Sequence, residues 1–243
     1  MEGEKADLKL MENLSHIFLG LDYQIWTYKT NIYDLYDRLT NKGEDELGDL
    51  DLLNVLKERE TDGETRKILE QRYTDVILVF DFDPQDHRYT KEKIVKLKQH
   101  FIEATDVGKL FINYPMVESF KHISSLDDPK YMDKIVTMQE LREGKYKERV
   151  ATETIQRDWT KYNKEQIEKI IALNLKKVNY ILNKEYKLPK DRDEYFAYNF
   201  DEVLNKQIEY LEKDNKFYIL NTCIFFVVDY MPSLLEEIKE EEK

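Results

Sequence analysis

The stretch Val76-Ile-Leu-Val-Phe-Asp81-Phe-Asp83-Pro-Gln-Asp86 decides the fold. Its unbroken run of apolar residues, mostly β-branched or aromatic, is typical of a strand buried on both faces, as in a parallel sheet covered by helices. Pro84 ends the strand. On an extended backbone the side chains of Asp81 and Asp83 point to the same side. The sequence therefore predicts a pair of carboxylates at the carboxyl end of a buried strand, the edge at which open α/β sheets bind ligands.

The elements that follow favour an α/β fold. Thr90 is placed to cap an amphipathic helix, and Lys109 to Asn113 has the composition of a second buried strand. A further helix is expected from Met116. The order strand, helix, strand, helix predicts a small parallel sheet of the doubly wound kind, flanked by helices.

The segments before the acidic strand predict mostly helices. Apolar residues from Leu8 to Phe18 recur at helical spacing, and Asn31 is placed to cap a second amphipathic helix. Between them, Tyr23 to Tyr28 alternates and is rich in β-forming residues, so we expect a strand there. Two short helices are expected around 50–57 and 64–72.

The chain changes character at about Ser124, which divides it into an α/β domain over 1–123 and an α-helical C-terminal region over 124–243. Asn163 and Gln166 form a capping box at the start of a long apolar-faced helix. Further helices are expected at 130–143, 201–211 and 217–228. No residues with a recognisable chemical role stand out in this region, and the chain has no P-loop, G-x-G-x-x-G, C-x-x-C or G-x-S-x-G motif.

Composition restricts the function. The 38 Lys and Arg residues against 50 Asp and Glu give a formal net charge of -12. Non-specific wrapping of nucleic acid is thereby disfavoured, and a nucleic-acid substrate requires a local basic surface or bridging metal ions. The single cysteine, Cys223, suits a reducing cytoplasm, and the charged start lacks a signal-peptide pattern. The most apolar segment, 217–228, is too short to span a membrane, so no membrane partner is expected.

Two interpretations of the Asp81–Asp83 pair remain open. Neighbouring carboxylates repel each other unless a proton or a cation lies between them, and a hard divalent metal such as Mg²⁺ is the natural third party. Alternatively, the strand simply runs into an Asp-Pro turn whose acids cap the next helix. His87 and His122 could reach such a site, although each is more often a surface residue. The lysines of the 90–101 helix are either a phosphate-facing surface or a solvated helix face.

The order of three motifs resembles a known family. Glu2-Gly-Glu-Lys5-Ala-Asp7, the D-x-D strand and Asn113-Tyr-Pro-Met-Val-Glu118-Ser-Phe are similar to the RloB-like family, which has the Toprim layout of topoisomerases, primases and OLD-type nucleases. The resemblance covers residues 2 to 123. It implies a Toprim-like sheet and a metal-dependent, nuclease-like enzyme of bacterial anti-phage defence, with nucleic acid and a defence protein such as an ATPase as candidate partners.

The resemblance also implies roles for individual residues. Glu2 would act as general acid or base beside a Mg²⁺ or Mn²⁺ ion, and Asp81 and Asp83 would hold that ion. Further metal-site candidates are Asp7 and Asp86, and candidates for the surrounding residues are Glu118, His87 and Lys5.

Other functions compete with the nuclease hypothesis. One is a non-catalytic nucleotide- or protein-binding module that keeps the acids as a relic metal site. A D-x-D glycosyltransferase would hold Mn²⁺ and a nucleotide sugar, but no sugar-nucleotide signature is present. A haloacid-dehalogenase-like phosphatase would need Thr where Gln85 stands. Convergence of Glu2, Asp81 and Asp83 within reach of one cation would separate the nuclease hypothesis from these alternatives.

Overall fold

The predicted parallel strand pair lies at the centre of the site region. In the computed structural model, which describes residues 6–20, 24–40, 47, 52–58, 60–105 and 107–241, β1 (Ile77–Asp81) pairs in parallel with β2 (Lys109–Asn113). Asp81 lies opposite Asn113 in this register. The interior residues of both strands are buried, because helices cover the sheet. The protein is thus a mixed α/β structure with a small parallel sheet flanked by helices.

Two helices in this half of the chain, the second and the one between the strands, begin at the caps predicted from the sequence. The first helix, α1, continues directly into a π-helix over Ser15–Leu19, and Asn31 Oδ1 accepts the Asp34 backbone N–H at the start of the second. Thr90 likewise accepts the Lys93 N–H at the start of α5. The helices of this half of the chain are α1 (Ala6–Leu14), α2 (Ile32–Thr40), α3 (Leu52–Lys57), α4 (Gly63–Leu69) and α5 (Lys91–His100).

The predicted strand at Tyr23–Tyr28 is wrong over the described residues 24–28, which belong to no strand; Tyr23 lies outside the described residues. The backbone here forms no strand ladder, and the aromatic side chains pack against one another and against β1. Trp26 meets Tyr28 edge to face, and the Tyr28 ring lies 5.9 Å from that of Phe80 in β1. The alternation of aromatic residues that favours a strand is therefore explained by the packing of their rings in the core.

Past β2, a 3-10 helix over Val117–Lys121 leads into the C-terminal region, and Trp159–Lys161 forms a second one. The capping box at Asn163 is confirmed and opens the longest helix. The region contains α6 (Met138–Arg142), α7 (Lys145–Glu153), α8 (Lys164–Asn183), α9 (Arg192–Phe196), α10 (Phe200–Asp214), α11 (Phe225–Tyr230) and α12 (Leu234–Glu241). Among the described helices, none is both long and apolar enough to cross a bilayer.

Two of the predicted helices in this region are helical only in part, and each includes strand residues. The 130–143 segment contains β3 (Ile135–Thr137) before α6, and the 217–228 segment overlaps β4 (Lys216–Tyr218) before α11. These strands pair antiparallel, with Val136 opposite Phe217. Each strand is only a few residues long, too short for its period to show in the sequence, and the pairing joins residues far apart in the chain.

The C-terminal region is hydrogen-bonded to the end of β2. Tyr114 and Leu220 exchange backbone hydrogen bonds of 2.8 Å, and the Thr222 hydroxyl donates to Ile112 O at 2.8 Å. The buried Asn113 Oδ1 accepts the backbone N–H groups of Thr222 and Cys223 at 3.2 Å each. The carboxyl edge of the sheet is therefore built from both parts of the chain.

Candidate functional site

Asp81 is held at the carboxyl end of β1 by a backbone donor. Its Oδ1 accepts the Val117 N–H at 2.9 Å, so the side chain caps the 3-10 helix that follows β2. The capping interpretation thus applies to Asp81, although the helix it caps is not the next one in the chain. Because the cap crosses from β1 to the segment after β2, it fixes the carboxylate beside that segment.

Asp83 lies two residues further on, outside the strand. Its backbone has φ of 41°, in the left-handed region that Asp tolerates better than most residues, and its Oδ1 accepts Gln85 Nε2 at 2.9 Å. The extended backbone that would align the two carboxylates therefore ends at Asp81. The charges of both carboxylates nevertheless act on the same ammonium group, that of Lys147.

Glu118 brings a third carboxylate to this edge. Its side chain is only 15% exposed, and Oε1 lies 3.3 Å from Lys147 Nζ. Its Oε2 is buried and accepts no hydrogen bond within the described part of the chain. A buried carboxylate oxygen without a donor is costly unless a cation lies nearby. We call Asp81, Asp83 and Glu118 the acidic edge.

Lys147 on α7 shows that the acidic edge acts as one electrostatic unit. Burial lowers the pKa of Lys147, but the negative charge of Glu118, followed by those of Asp81 and Asp83, outweighs burial and raises that pKa above its ordinary value. The side chain remains 64% exposed. A single ammonium group at the surface is therefore under the influence of all three carboxylates.

Asp7 lies in the first turn of α1 and is buried. Burial raises the pKa of the Cys223 thiol, and the charges of Asp7 and Asp81 raise it further. Both acids therefore lie within electrostatic range of the same thiol. The helix that carries Asp7, α1, also contacts the 3-10 helix that Asp81 caps.

Asp86 is engaged by other side chains. Arg88 donates to its Oδ1 from Nε at 3.1 Å and to its Oδ2 from Nη2 at 3.2 Å, and Asn31 Nδ2 donates to Oδ2 at 2.5 Å. These bonds, above all those from Arg88, lower the pKa of Asp86 to about 2. Asp86 thus ties the loop after β1 to the start of α2, while Tyr33 of α2 donates to the Phe82 carbonyl in the same loop.

The two histidines differ in position. His87 is 87% exposed and lies 3.5 Å from Asp86. His122 is buried, with Nδ1 3.2 Å from the Tyr146 hydroxyl and Nε2 2.9 Å from Glu153. Its expected surface position is therefore wrong. Glu2 and Lys5 lie outside the described residues.

The lysines of α5, which the sequence suggests as a phosphate-facing surface, are engaged in other contacts. On α5, Lys93 pairs with Asp37 at 2.7 Å, and the buried Lys98 donates to the Leu110 carbonyl at 3.0 Å. Beside Lys147 instead stands Lys121, whose ammonium lies 4.3 Å from the Trp159 ring centroid. Burial lowers the pKa of Lys121; Glu118 opposes this, whereas Lys147 and Arg157 add to it.

Lys147 contacts Glu118, and the Lys121 ammonium lies 3.5 Å from the Arg157 carbonyl oxygen. We call Lys147, Lys121 and Arg157 the basic fringe, and sequence reasoning missed all three. They fall in or beside the charged 124–160 segment, where no spacing distinguishes them from other surface cations. An open cleft of about 500 Å³ lies elsewhere, between the 126–129 loop and α8, and contains none of the predicted site residues.

The described residues only partly fit a metal ion. Carboxylate oxygens are the ligands that Mg²⁺ prefers, and the buried Glu118 Oε2 is the kind of acceptor that a cation satisfies. Within the described ranges, however, no three His, Cys, Asp or Glu side chains are grouped so that they could hold a metal ion. The described residues alone therefore supply no complete ligand set.

Searches of protein-family models, curated proteins and solved structures find no match to this chain.

Proposed function

We propose that the protein is a metal-dependent, nuclease-like phosphodiester hydrolase whose site is the acidic edge. The observation that carries the proposal is geometric: Asp81 Oδ1 accepts the Val117 N–H at 2.9 Å, which holds it beside Glu118, whose buried Oε2 accepts no hydrogen bond among the described residues. Asp81 ends β1, Asp83 follows it and Glu118 follows β2, so the carboxyl ends of both parallel strands contribute. Ligand sites in open α/β sheets occupy this position.

The roles that we propose for the metal ion and the carboxylates follow from the charge that develops during the reaction. Phosphodiester cleavage builds negative charge on the attacking and leaving oxygens, which a Mg²⁺ or Mn²⁺ ion would neutralise and align. The three acids of the acidic edge are not grouped closely enough to hold the ion by themselves, so their oxygens would hold it together with Glu2, which lies outside the described residues. Glu2, by the family resemblance, would move the proton.

The basic fringe supplies what an acidic protein needs to approach nucleic acid. With a net charge of -12, the surface as a whole repels a phosphate backbone. Lys147, Lys121 and Arg157 are positive groups beside the carboxylates, at the place where a scissile phosphate would have to lie. They would position phosphates while the acids act on one of them.

The test uses Asp81→Asn and Asp83→Asn with Mg²⁺ or Mn²⁺ on DNA and RNA. Asn keeps the acceptor that caps Val117 and tolerates a positive φ, so these variants remove charge with little effect on folding. We expect cleavage to fall about a hundredfold or more. Asp193→Asn, which removes an exposed acid from the first turn of α9, is the matched control and should cleave normally.

Calorimetric metal titration separates binding from catalysis. Wild type and Asp193→Asn should bind Mg²⁺ or Mn²⁺, and Asp81→Asn should bind more weakly. Cleavage that survives in both Asp81→Asn and Asp83→Asn would show that the acidic edge is not the site.

The second candidate function is a non-catalytic nucleotide- or protein-binding module. The ion pair of Lys147 with Glu118 favours it, because an ammonium group already compensates part of the acidic charge. This candidate predicts that wild type does not cleave nucleic acid, even where its relic acidic site still binds Mg²⁺. The bacterial defence setting and an ATPase partner rest on the family resemblance and form part of the first proposal only.

A further inference from the structure

Three tyrosines from separate elements form an open box at the surface. Tyr180 lies on α8, Tyr210 on α10, and Tyr218 is the last residue of β4. The rings of Tyr180 and Tyr210 stand at 86° and 89° to that of Tyr218, with centroids 5.8 and 5.0 Å from it. Tyr218 therefore packs at close to a right angle against both of the other rings. We call this group the tyrosine box.

The tyrosine box contains the ammonium group of Lys184. Its Nζ lies 5.1 Å from the ring centroids of both Tyr180 and Tyr210 and 5.8 Å from that of Tyr218. It also donates to the Tyr210 hydroxyl at 2.5 Å. The Tyr218 ring is shared, because the buried Lys177 Nζ lies 5.6 Å from its centroid. Aromatic rings grouped around a positive charge are the arrangement by which proteins recognise organic cations, because the face of each ring is negative.

Lys184 is placed so that its side chain can leave the tyrosine box and a ligand can take its position. It follows the last turn of α8 with a left-handed backbone, φ of 63°, and its side chain is exposed. The acids nearest in sequence to the box pair with other lysines: Glu185 with Lys187 at 2.6 Å and Glu209 with Lys206 at 3.7 Å. Ring faces and one hydroxyl therefore hold this ammonium group.

A primary ammonium group is a poor match for such a box. It is compact and strongly hydrated, so entering a ring-lined space removes water that the rings replace only in part. A quaternary ammonium group has no N–H to keep hydrated and spreads its charge over methyl groups that contact the rings. The shape and chemistry of the box thus suit a quaternary ion better than its own lysine.

We propose that the tyrosine box is a binding site for a small quaternary ammonium ion, and that Lys184 is a built-in competitor that fills the box when the ligand is absent. The site is independent of the acidic edge. Its elements, α8, α10 and β4, all belong to the region in which the sequence shows no motif.

The test is Lys184→Asn, which empties the box. Asn is short and adopts the left-handed conformation readily, so the helix end should be preserved. We expect the variant to bind choline about fivefold more tightly than wild type, since occupation by Lys184 hides the box from most encounters. Ligand-observed NMR titration measures this difference.

Two controls make the result specific. The uncharged isostere 3,3-dimethylbutan-1-ol has the shape of choline and should not bind, because ring faces attract the charge. Arg192→Asn removes a cation that lies 6.0 Å from a single ring, that of Phe196, and should create no choline site. Tyr210→Leu, made in the Lys184→Asn background, removes one ring and should abolish binding.

Titration with free trimethyllysine alongside choline shows which carrier of the quaternary group fits better; binding of either one supports the proposal. It is overturned if folded Lys184→Asn binds neither ligand in preference to the neutral isostere, or if binding survives the loss of Tyr210. Circular dichroism of each variant confirms folding.

Discussion

Replacing Asp86 by Asn tests whether the loop that carries Asp83 is held by charge. Asp86 is 17% exposed and accepts hydrogen bonds from the Arg88 side chain, the Arg88 backbone and Asn31. Since Asn31 begins α2, these bonds join the loop after β1 to another element. Asn has almost the same shape as Asp but no charge, so the substitution removes the electrostatic part of the contact.

The pKa of Asp86 gives the expected magnitude. Hydrogen bonds from Arg88, then from Asn31, lower it from 3.8 to about 2. At about 1.4 kcal/mol per pKa unit, this gap corresponds to about 2.5 kcal/mol, which solvent screening at this partly exposed group reduces to about 2 kcal/mol of stability at pH 7. Because the folded-state pKa is the lower one, the contribution is complete above the unfolded value of 3.8. It is lost as the pH falls through about 2.

Urea unfolding of wild type and Asp86→Asn at neutral pH and at about pH 3 measures both the size and the pH dependence. We expect Asp86→Asn to be about 2 kcal/mol less stable at neutral pH, with about half of that difference left near pH 3. Asp193→Asn, which removes an exposed acid, is the control and should unfold like wild type. A neutral-pH difference below about 0.5 kcal/mol, or one that does not shrink on acidification, would refute the reasoning.

Two further predictions concern the C-terminal region. Asn163→Ala removes the cap of α8, whose side chain accepts the Gln166 N–H, and should lower the free energy of unfolding by about 1 kcal/mol in urea titrations. His122 has its pKa lowered to about 4 by burial and then by Lys134, so between pH 6.5 and about 4 the unfolded chain binds a proton that the folded chain does not. Wild type should therefore lose stability on acidification through this range, and His122→Gln should lack that part of the pH dependence.

The parts of the fold that the sequence predicts well are those encoded locally. The apolar run before Asp81 is long enough to identify a buried strand, and the caps at Thr90 and Asn163 mark helix starts within a few residues of the observed ones. In each case the signal and the structure lie in the same short segment.

The parts of the fold that the sequence does not predict depend on contacts between residues that are distant in the chain. β3 and β4 are three-residue strands that pair across some eighty residues, and α8 lies between them in the chain. The aromatic alternation around Trp26 is used for packing against Phe80. Periodicity describes which side of a segment is buried, but not what buries it.

The candidate site shows the same division. Asp81 and Asp83 follow from the strand and its ending, and Glu118 follows from the family resemblance. Lys147 lies about thirty residues beyond Glu118 on a helix with an unremarkable charge pattern. Only the packing of α7 against the 3-10 helix after β2 brings its ammonium group to the acids.

The acidic edge therefore depends on the C-terminal region in two physical ways. Lys147 supplies the positive charge that compensates Glu118, and the backbone N–H groups of Thr222 and Cys223 satisfy the buried Asn113 Oδ1 beside Asp81. Without these groups, a buried amide oxygen would lose its donors and the carboxylates would repel each other more strongly. The strand-end acids and the helical region that holds them are thus one electrostatic and hydrogen-bonded unit, although the sequence motifs lie almost entirely in the first half of the chain.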